Sequence, residues 1–232
     1  MISLFRKFYG FLINEIYPLI LDSLKQNSRL IIRILLTIGV SFTFLFVLSF
    51  KKGISPTDLT RDPSDILSYP PYIGFISYLG VFLWCGIATM GWLGFAILKK
   101  TKALHEKSKF YFYNAILISI LVVDDTFQGH EYFIRHVIKL PEITMYVFYS
   151  SFLLFIVYKY FNFILEPFIG LFFMAFSCFG CSVFIDIYLD WIAYSIFVED
   201  TFKFLGICFW FIFFMKHFVY DIDRLGGLSK IK

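Results

Sequence analysis

Charge is scarce in this chain: 16% of its 232 residues are Asp, Glu, Lys or Arg. An ordinary soluble domain carries about 25%. A water-soluble fold of this length would lack polar side chains to cover itself, so a soluble globular class is excluded. Cysteine is also rare. The four present (Cys85, Cys178, Cys181, Cys208) all sit in apolar stretches, which excludes the disulfide framework of a small secreted domain. Cys178 and Cys181 have redox-like spacing, but small residues that let helices approach closely are the simpler reading. No basic run alternates with aromatics, which removes nucleic acid as a partner. The net charge is only +4. Six of the seven prolines punctuate the chain after the first apolar run: Pro56, Pro63, Pro70 and Pro71 in one connection, Pro141 and Pro167 at the first turns of later segments, with Pro18 in the N-terminal segment.

What is abundant is apolar surface. Hydrophobic residues make up 59% and the mean hydropathy is +0.76. The 33 Phe and 15 Tyr suit lipid-facing and interfacial positions. They also suit an AT-rich coding sequence and carry no functional weight. Six apolar runs, near residues 30–50, 72–98, 110–132, 143–161, 167–190 and 201–220, each approach the ~20 residues that cross ~30 Å of hydrocarbon. The expected fold is therefore all-α: a polytopic membrane helix bundle of about six transmembrane helices plus an N-terminal amphipathic helix. Residues 1–29 form the cytoplasmic, interfacial segment, in which Leu4, Phe5, Phe8, Leu12, Ile16, Leu19 and Ile20 recur at helical spacing. Residues 30–220 form one membrane domain and 221–232 a cytoplasmic tail. No cleavable signal is apparent near residue 25, so the span from Leu30 is expected to act as an uncleaved anchor. Within the first connection, Asp62-Pro63 marks the start of a short helix over 63–69, read as a connector, with a lid as the alternative.

Lys and Arg set the orientation. With six spans, the side bearing both termini holds 15 basic residues and the other side six. Both termini are expected to be cytoplasmic, in a multi-pass cell membrane protein.

The acids are distributed the other way. Eleven of 17 fall towards the outer side. Asp124 lies fifteen residues past Lys109, which is ~22 Å along a helix at 1.5 Å per residue. Asp124 and Asp125 therefore belong in the outer third of the hydrocarbon. A carboxylate there is costly unless paired, hydrated or protonated, about 2.5–3.5 kcal/mol at mid-bilayer on insertion scales. If the helix continues, Asp124, Gln128 and Glu131 share one stripe, and His130 joins them only if the helix bends at Gly129. On span five, Cys178, Ser182, Asp186 and Asp190 recur every four residues. On span six, Glu199 and Lys203 form an i, i+4 pair. The candidate ligands are Asp124, Asp125, His130, Glu131, Asp186, Asp190, Glu199 and Asp200, with Lys203 balancing charge, against Glu199 or Asp200 in the first instance. Such a set needs cations or shared protons, and a divalent metal ion is the cofactor it would suit. His130-Glu131-Tyr132-Phe133-Ile134 lacks the second His of a zinc-protease helix.

The run Asp124-Asp125-Thr126-Phe127-Gln128-Gly129-His130-Glu131, followed by Pro141-Glu142, resembles a motif of a scattered family of uncharacterised bacterial multi-spanning proteins. Glu199-Asp200-Thr201-Phe202-Lys203-Phe204-Leu205-Gly206-Ile207 resembles a second motif of that family. The resemblance covers about the second half of the chain and implies no particular activity. Three functions follow from the residues: an ion- or proton-binding protein at the outer ends of spans three, five and six; a membrane-embedded metal-dependent hydrolase; and a non-catalytic subunit or assembly factor of a larger membrane complex, with other membrane proteins as partners.

Overall fold

The computed structural model describes residues 17–26, 28–53, 63–70, 72–127, 129–141, 143–165, 168–189 and 194–229, together with Asn14, Ser55, Trp191 and Ile192. The expected striped helix before residue 17, Asp62 and Gln128 lie outside the described residues, as do the side chains of His130, Glu131, Glu142 and Asp190. Those described are helical or in turns, with no strand among them. Six helices are long and apolar enough to cross a membrane. The chain divides into two units, residues 1–73 and 74–232.

In the first unit, α1 (Tyr17–Gln26) precedes α2 (Ser28–Lys52), whose stretch Ile31–Lys52 is the first candidate span. Hydroxyls along it are satisfied within the helix, as a lipid-solvated helix requires. The hydroxyls of Thr37, Ser41 and Thr43 donate to the carbonyls of Arg33, Thr37 and Gly39 at 2.8–2.9 Å. Lys51 and Lys52 occupy the last turn, where the helix dipole favours cations. Gly53 then takes the left-handed conformation, φ +67°, that commonly ends a helix. The short helix expected over 63–69 is present as α3, Pro63–Ile66.

The second unit holds five spans: α4 (Phe75–Leu98), α5 (His105–Phe127), α6 (Ile143–Ile164), α7 (Ile169–Tyr188) and α8 (Ser195–Ser229). A 3₁₀ turn, Lys102–Leu104, joins α4 to α5, and a π-helical segment, Gly129–Ile138, follows α5. The helices alternate in direction. α4 packs against α5 and α8, α7 against α8, and α5 against α6. Small residues allow the closest approach. A Cβ on Gly91 would lie 2.9 Å from the Ala115 Cβ, and one on Gly94 would lie 2.5 Å from the Tyr111 ring. Trp84, Phe110, Tyr111, Tyr160, Phe172, Trp210, Phe213 and Phe214 fill the centre. Apolar residues also cover the outside: Leu154, Tyr158 and Phe173 on α6 and α7 are all more than half exposed. A bundle solvated by lipid needs that outer surface.

Several boundaries differ from the sequence expectation, among them the start of span three, at His105 rather than near 110, and of span six, at Ser195 rather than near 201. Span three stops being α-helical at Phe127 instead of running to residue 132, because the chain widens into the π-helical segment at Gly129. The α-helical stripe from Asp124 to Glu131 therefore does not continue. Span six does not end near residue 220: α8 continues to Ser229, so Asp221 is a helix residue rather than part of a tail.

Candidate functional site

Asp125, near the C-terminal end of α5, is gripped from two other helices. Lys203 Nζ on α8 lies 2.8 Å from its Oδ1. The indole Nε1 of Trp84 on α4 donates to its Oδ2 at 3.0 Å. Both carboxylate oxygens thus have a donor, one of them charged, which is the arrangement that makes an ion at membrane depth tolerable. The Trp84 ring is itself fixed by stacking on Phe179 of α7, 5.9 Å between centroids. Asp125 is 14% exposed and Lys203 35%, so the pair sits at the rim of the bundle. Lys203 pairs with this acid on another helix, whereas the sequence points to its neighbours Glu199 and Asp200. Glu199 is half-buried and Asp200 exposed, both early in α8.

Asp124 points elsewhere. It is 6% exposed and lines a cleft between α5 and α6 with Ser119, Gly129, Met145 and Tyr149. Its Oδ1 lies against Gly129, where an added Cβ would collide at 2.5 Å. Glycine is what allows the carboxylate to fold over the start of the π-helical segment, a helix type that is rare and frequent at functional sites. The Tyr149 hydroxyl of α6 interacts with Asp124 but makes no hydrogen bond of good geometry among the described residues. On α7, Asp186 accepts a hydrogen bond from the Tyr146 hydroxyl of α6 at 3.0 Å. The acids at this end are therefore distributed among three sets of partners. Among the described residues, no group of three or more His, Cys, Asp and Glu could hold a metal ion.

At the opposite end lies a second buried ion pair that the sequence reading missed. Lys107 Nζ of α5 is 2.7 Å from Asp221 Oδ1 of α8, with the two side chains only 4% and 2% exposed. The Tyr111 hydroxyl donates to Asp221 Oδ2 at 2.8 Å. Phe163 and Tyr220 face the ammonium at 5.5 and 5.7 Å, close enough for cation–π attraction. His217, one turn before Asp221, is 1% exposed and packs on the Phe213 ring at 4.5 Å. Hydropathy alone puts Lys107 in a loop and Asp221 in the tail. The signal that would have found them is a repeat. Lys107 precedes Asp125 by eighteen residues, and Lys203 precedes Asp221 by eighteen. Eighteen residues make five helical turns and ~27 Å. On two antiparallel helices, each lysine then meets the other helix's aspartate, and the two contacts lie about a hydrocarbon thickness apart.

These features define a multi-pass helical membrane bundle with polar contacts at both ends of its α5–α8 pair and an acid-bearing cleft at one. The chain belongs to a family described as a domain of unknown function, DUF8692, whose model matches residues 30–217. No curated protein matches it, and no solved structure does.

Proposed function

We propose that this membrane protein binds a cation or a proton at Asp124, near the extracytoplasmic ends of α5, α7 and α8. The observation that carries this reading is the different treatment of two adjacent carboxylates. Asp125 is neutralised by Lys203 and held by Trp84. Asp124 is 6% exposed, lies against Gly129 and within reach of the Tyr149 hydroxyl, and lines a cleft. An ionisable group so placed in a membrane span is a functional site by default. Asp125, Lys203 and Trp84 act as the frame that fixes the α5 terminus, and Asp186 with Tyr146 braces α6 against α7. The excess of Lys and Arg at the other end puts the Asp124 end outside.

The test is reconstitution of the full chain in liposomes, with proton and potassium movement followed by entrapped dyes. Wild type is expected to move or bind the ion saturably, and Asp124→Asn to abolish this. Flux and binding unchanged in Asp124→Asn would sink the reading.

One observation favours a second reading, a non-catalytic subunit of a larger complex: Asp125 and Asp186 already have their partners within the chain, as structural acids would. Isolation from its native membrane with a stoichiometric partner, in a complex insensitive to Asp124→Asn, would favour that role.

A further inference from the structure

α6 is the least embedded span of the second unit. Of its most apolar stretch 17% is buried, against 28–39% for α4, α5, α7 and α8. Its buried residues, Ile156, Tyr160 and Ile164, all lie in its second half. There the helix breaks. Tyr160 takes φ −118° and ψ 22°, although α6 has no proline or glycine, the usual causes of a kink. Tertiary packing holds the break in place. Tyr160 is 2% exposed, and its ring lies 5.9 and 6.0 Å from those of Phe110 and Tyr113 on α5 and 6.2 Å from Phe163. Lys159, just before it, sits over the Tyr113 ring at 5.3 Å.

The half of α6 that starts at Ile143 is held differently. A cleft of about 490 Å³ lies between it and α5. Two tyrosine hydroxyls reach from this half to acids on other helices. Tyr149 meets Asp124 of α5, and Tyr146 donates to Asp186 Oδ2 of α7 at 3.0 Å. The chain that enters α6 is irregular as well. It comes from the π-helical segment Gly129–Ile138 and passes Lys139 in the left-handed region, φ +62°, which is unfavourable for a residue with a side chain. An anchored end, a backbone break and a loosely packed end closed by side-chain contacts are the parts of a hinge motion. We propose that α6 is a gate: Ile143–Lys159 swings about Tyr160, and Tyr146 and Tyr149 latch it shut on Asp186 and Asp124. With the gate shut, Tyr149 covers Asp124. With it open, Asp124 exchanges that hydroxyl for the ion. The motion stands on the packing of α6, and its use in admitting an ion rests on Asp124 being the ion site.

The experiment measures distances between paired spin labels on the full chain in phosphatidylcholine nanodiscs, with the four native cysteines replaced by Ala. One pair joins Val147→Cys on α6 to Ile187→Cys on α7. The other joins Phe161→Cys, beside the break, to Phe173→Cys on α7. All four positions are exposed. Thirteen residues separate Val147 from Tyr160, or ~20 Å of helix. A swing of about 15° therefore moves residue 147 by ~5 Å and residue 161 hardly at all. Tyr146→Phe combined with Tyr149→Phe removes both hydroxyls and keeps both rings. It should raise the population at the longer 147–187 distance at least about tenfold relative to the shorter, with the 161–173 distance unchanged. Tyr149→Phe alone should give the same shift in smaller measure. A 147–187 distance unmoved in both variants overturns the gate. So does lengthening of both distances together, which means that α6 detaches as a whole. Lengthening of the 147–187 distance alone, without saturable ion uptake by wild type in liposomes, leaves the gate standing and removes the ion site. Ion uptake abolished by Asp124→Asn, with an unmoved 147–187 distance, leaves the ion site standing and overturns the gate.

Discussion

Asp221 and Asp125 are each held by a lysine at 2.7–2.8 Å, but their surroundings differ in a way that sets what each is worth. Lys107 and Asp221 are 4% and 2% exposed. Removing one partner there strands a charge with no water to solvate it, which costs about 3–5 kcal/mol in buried pairs. Asp221→Asn is expected to destabilise the bundle by about that much, read from thermal unfolding in lipid–detergent micelles. Combining Lys107→Met with Asp221→Leu should restore most of the loss, since no stranded charge remains. Asp125→Asn should cost less, because Lys203 at 35% exposure can turn to water or headgroups. Equal losses at the two ends would contradict the burial argument. Depth along the helix was enough to single out Asp124 and Asp125 from sequence. The partner choice of Lys203 is legible only from the eighteen-residue spacing it shares with Lys107, and only once α5 and α8 are known to pair. Glu199 sits one turn away on its own helix, whereas Asp125 is 78 positions earlier and comes close only once α5 packs on α8.

Helix existence followed from apolar length, because each hydrophobic run can satisfy its backbone in lipid only by coiling. The π-helical segment did not follow. A ten-residue stretch with period 3.6 and one with a wider turn carry nearly the same residues, and Asp124 folding over Gly129 distinguishes them only in three dimensions. The repeat of Lys and Asp at eighteen residues was present in the sequence all along. Hydropathy does not bring it out, because Lys107 and Asp221 lie at the edges of their apolar runs, where hydropathy places a boundary. How closely two helices pack is likewise settled by local contact. Gly91 faces Ala115 at 2.9 Å from a built Cβ, whereas Gly180 on α7 has no atom within 4 Å. Gly91→Leu is expected to force α4 from α5 and cost about 1–3 kcal/mol or more. It should also loosen the Trp84–Asp125 hydrogen bond, visible as a shift in Trp84 fluorescence. Gly180→Leu should leave the melting temperature unchanged or slightly raised, since Leu is the better helix former, and a comparable loss there would contradict the packing argument.

Across the whole molecule, the orientation rests on charge asymmetry. With Cys85, Cys178, Cys181 and Cys208 replaced by Ala, a cysteine at position 102 is expected to react with a membrane-impermeant maleimide only after the membrane is opened. One at position 192, in the α7–α8 connection, should react in intact cells. The reverse pattern would invert the topology and put the Asp124 cleft on the cytoplasmic side. By itself the sequence determined the solvent of this protein. Too few charges and six long apolar runs leave lipid as the surroundings and helices as the only backbone solution, and both are properties of composition and length. The tertiary structure alone decided which charges meet. It joined Asp125 to Lys203, joined Lys107 to Asp221, and turned Asp124 into a cleft. Those contacts depend on the rotation and direction of helices distant in sequence, which no local pattern of residues encodes.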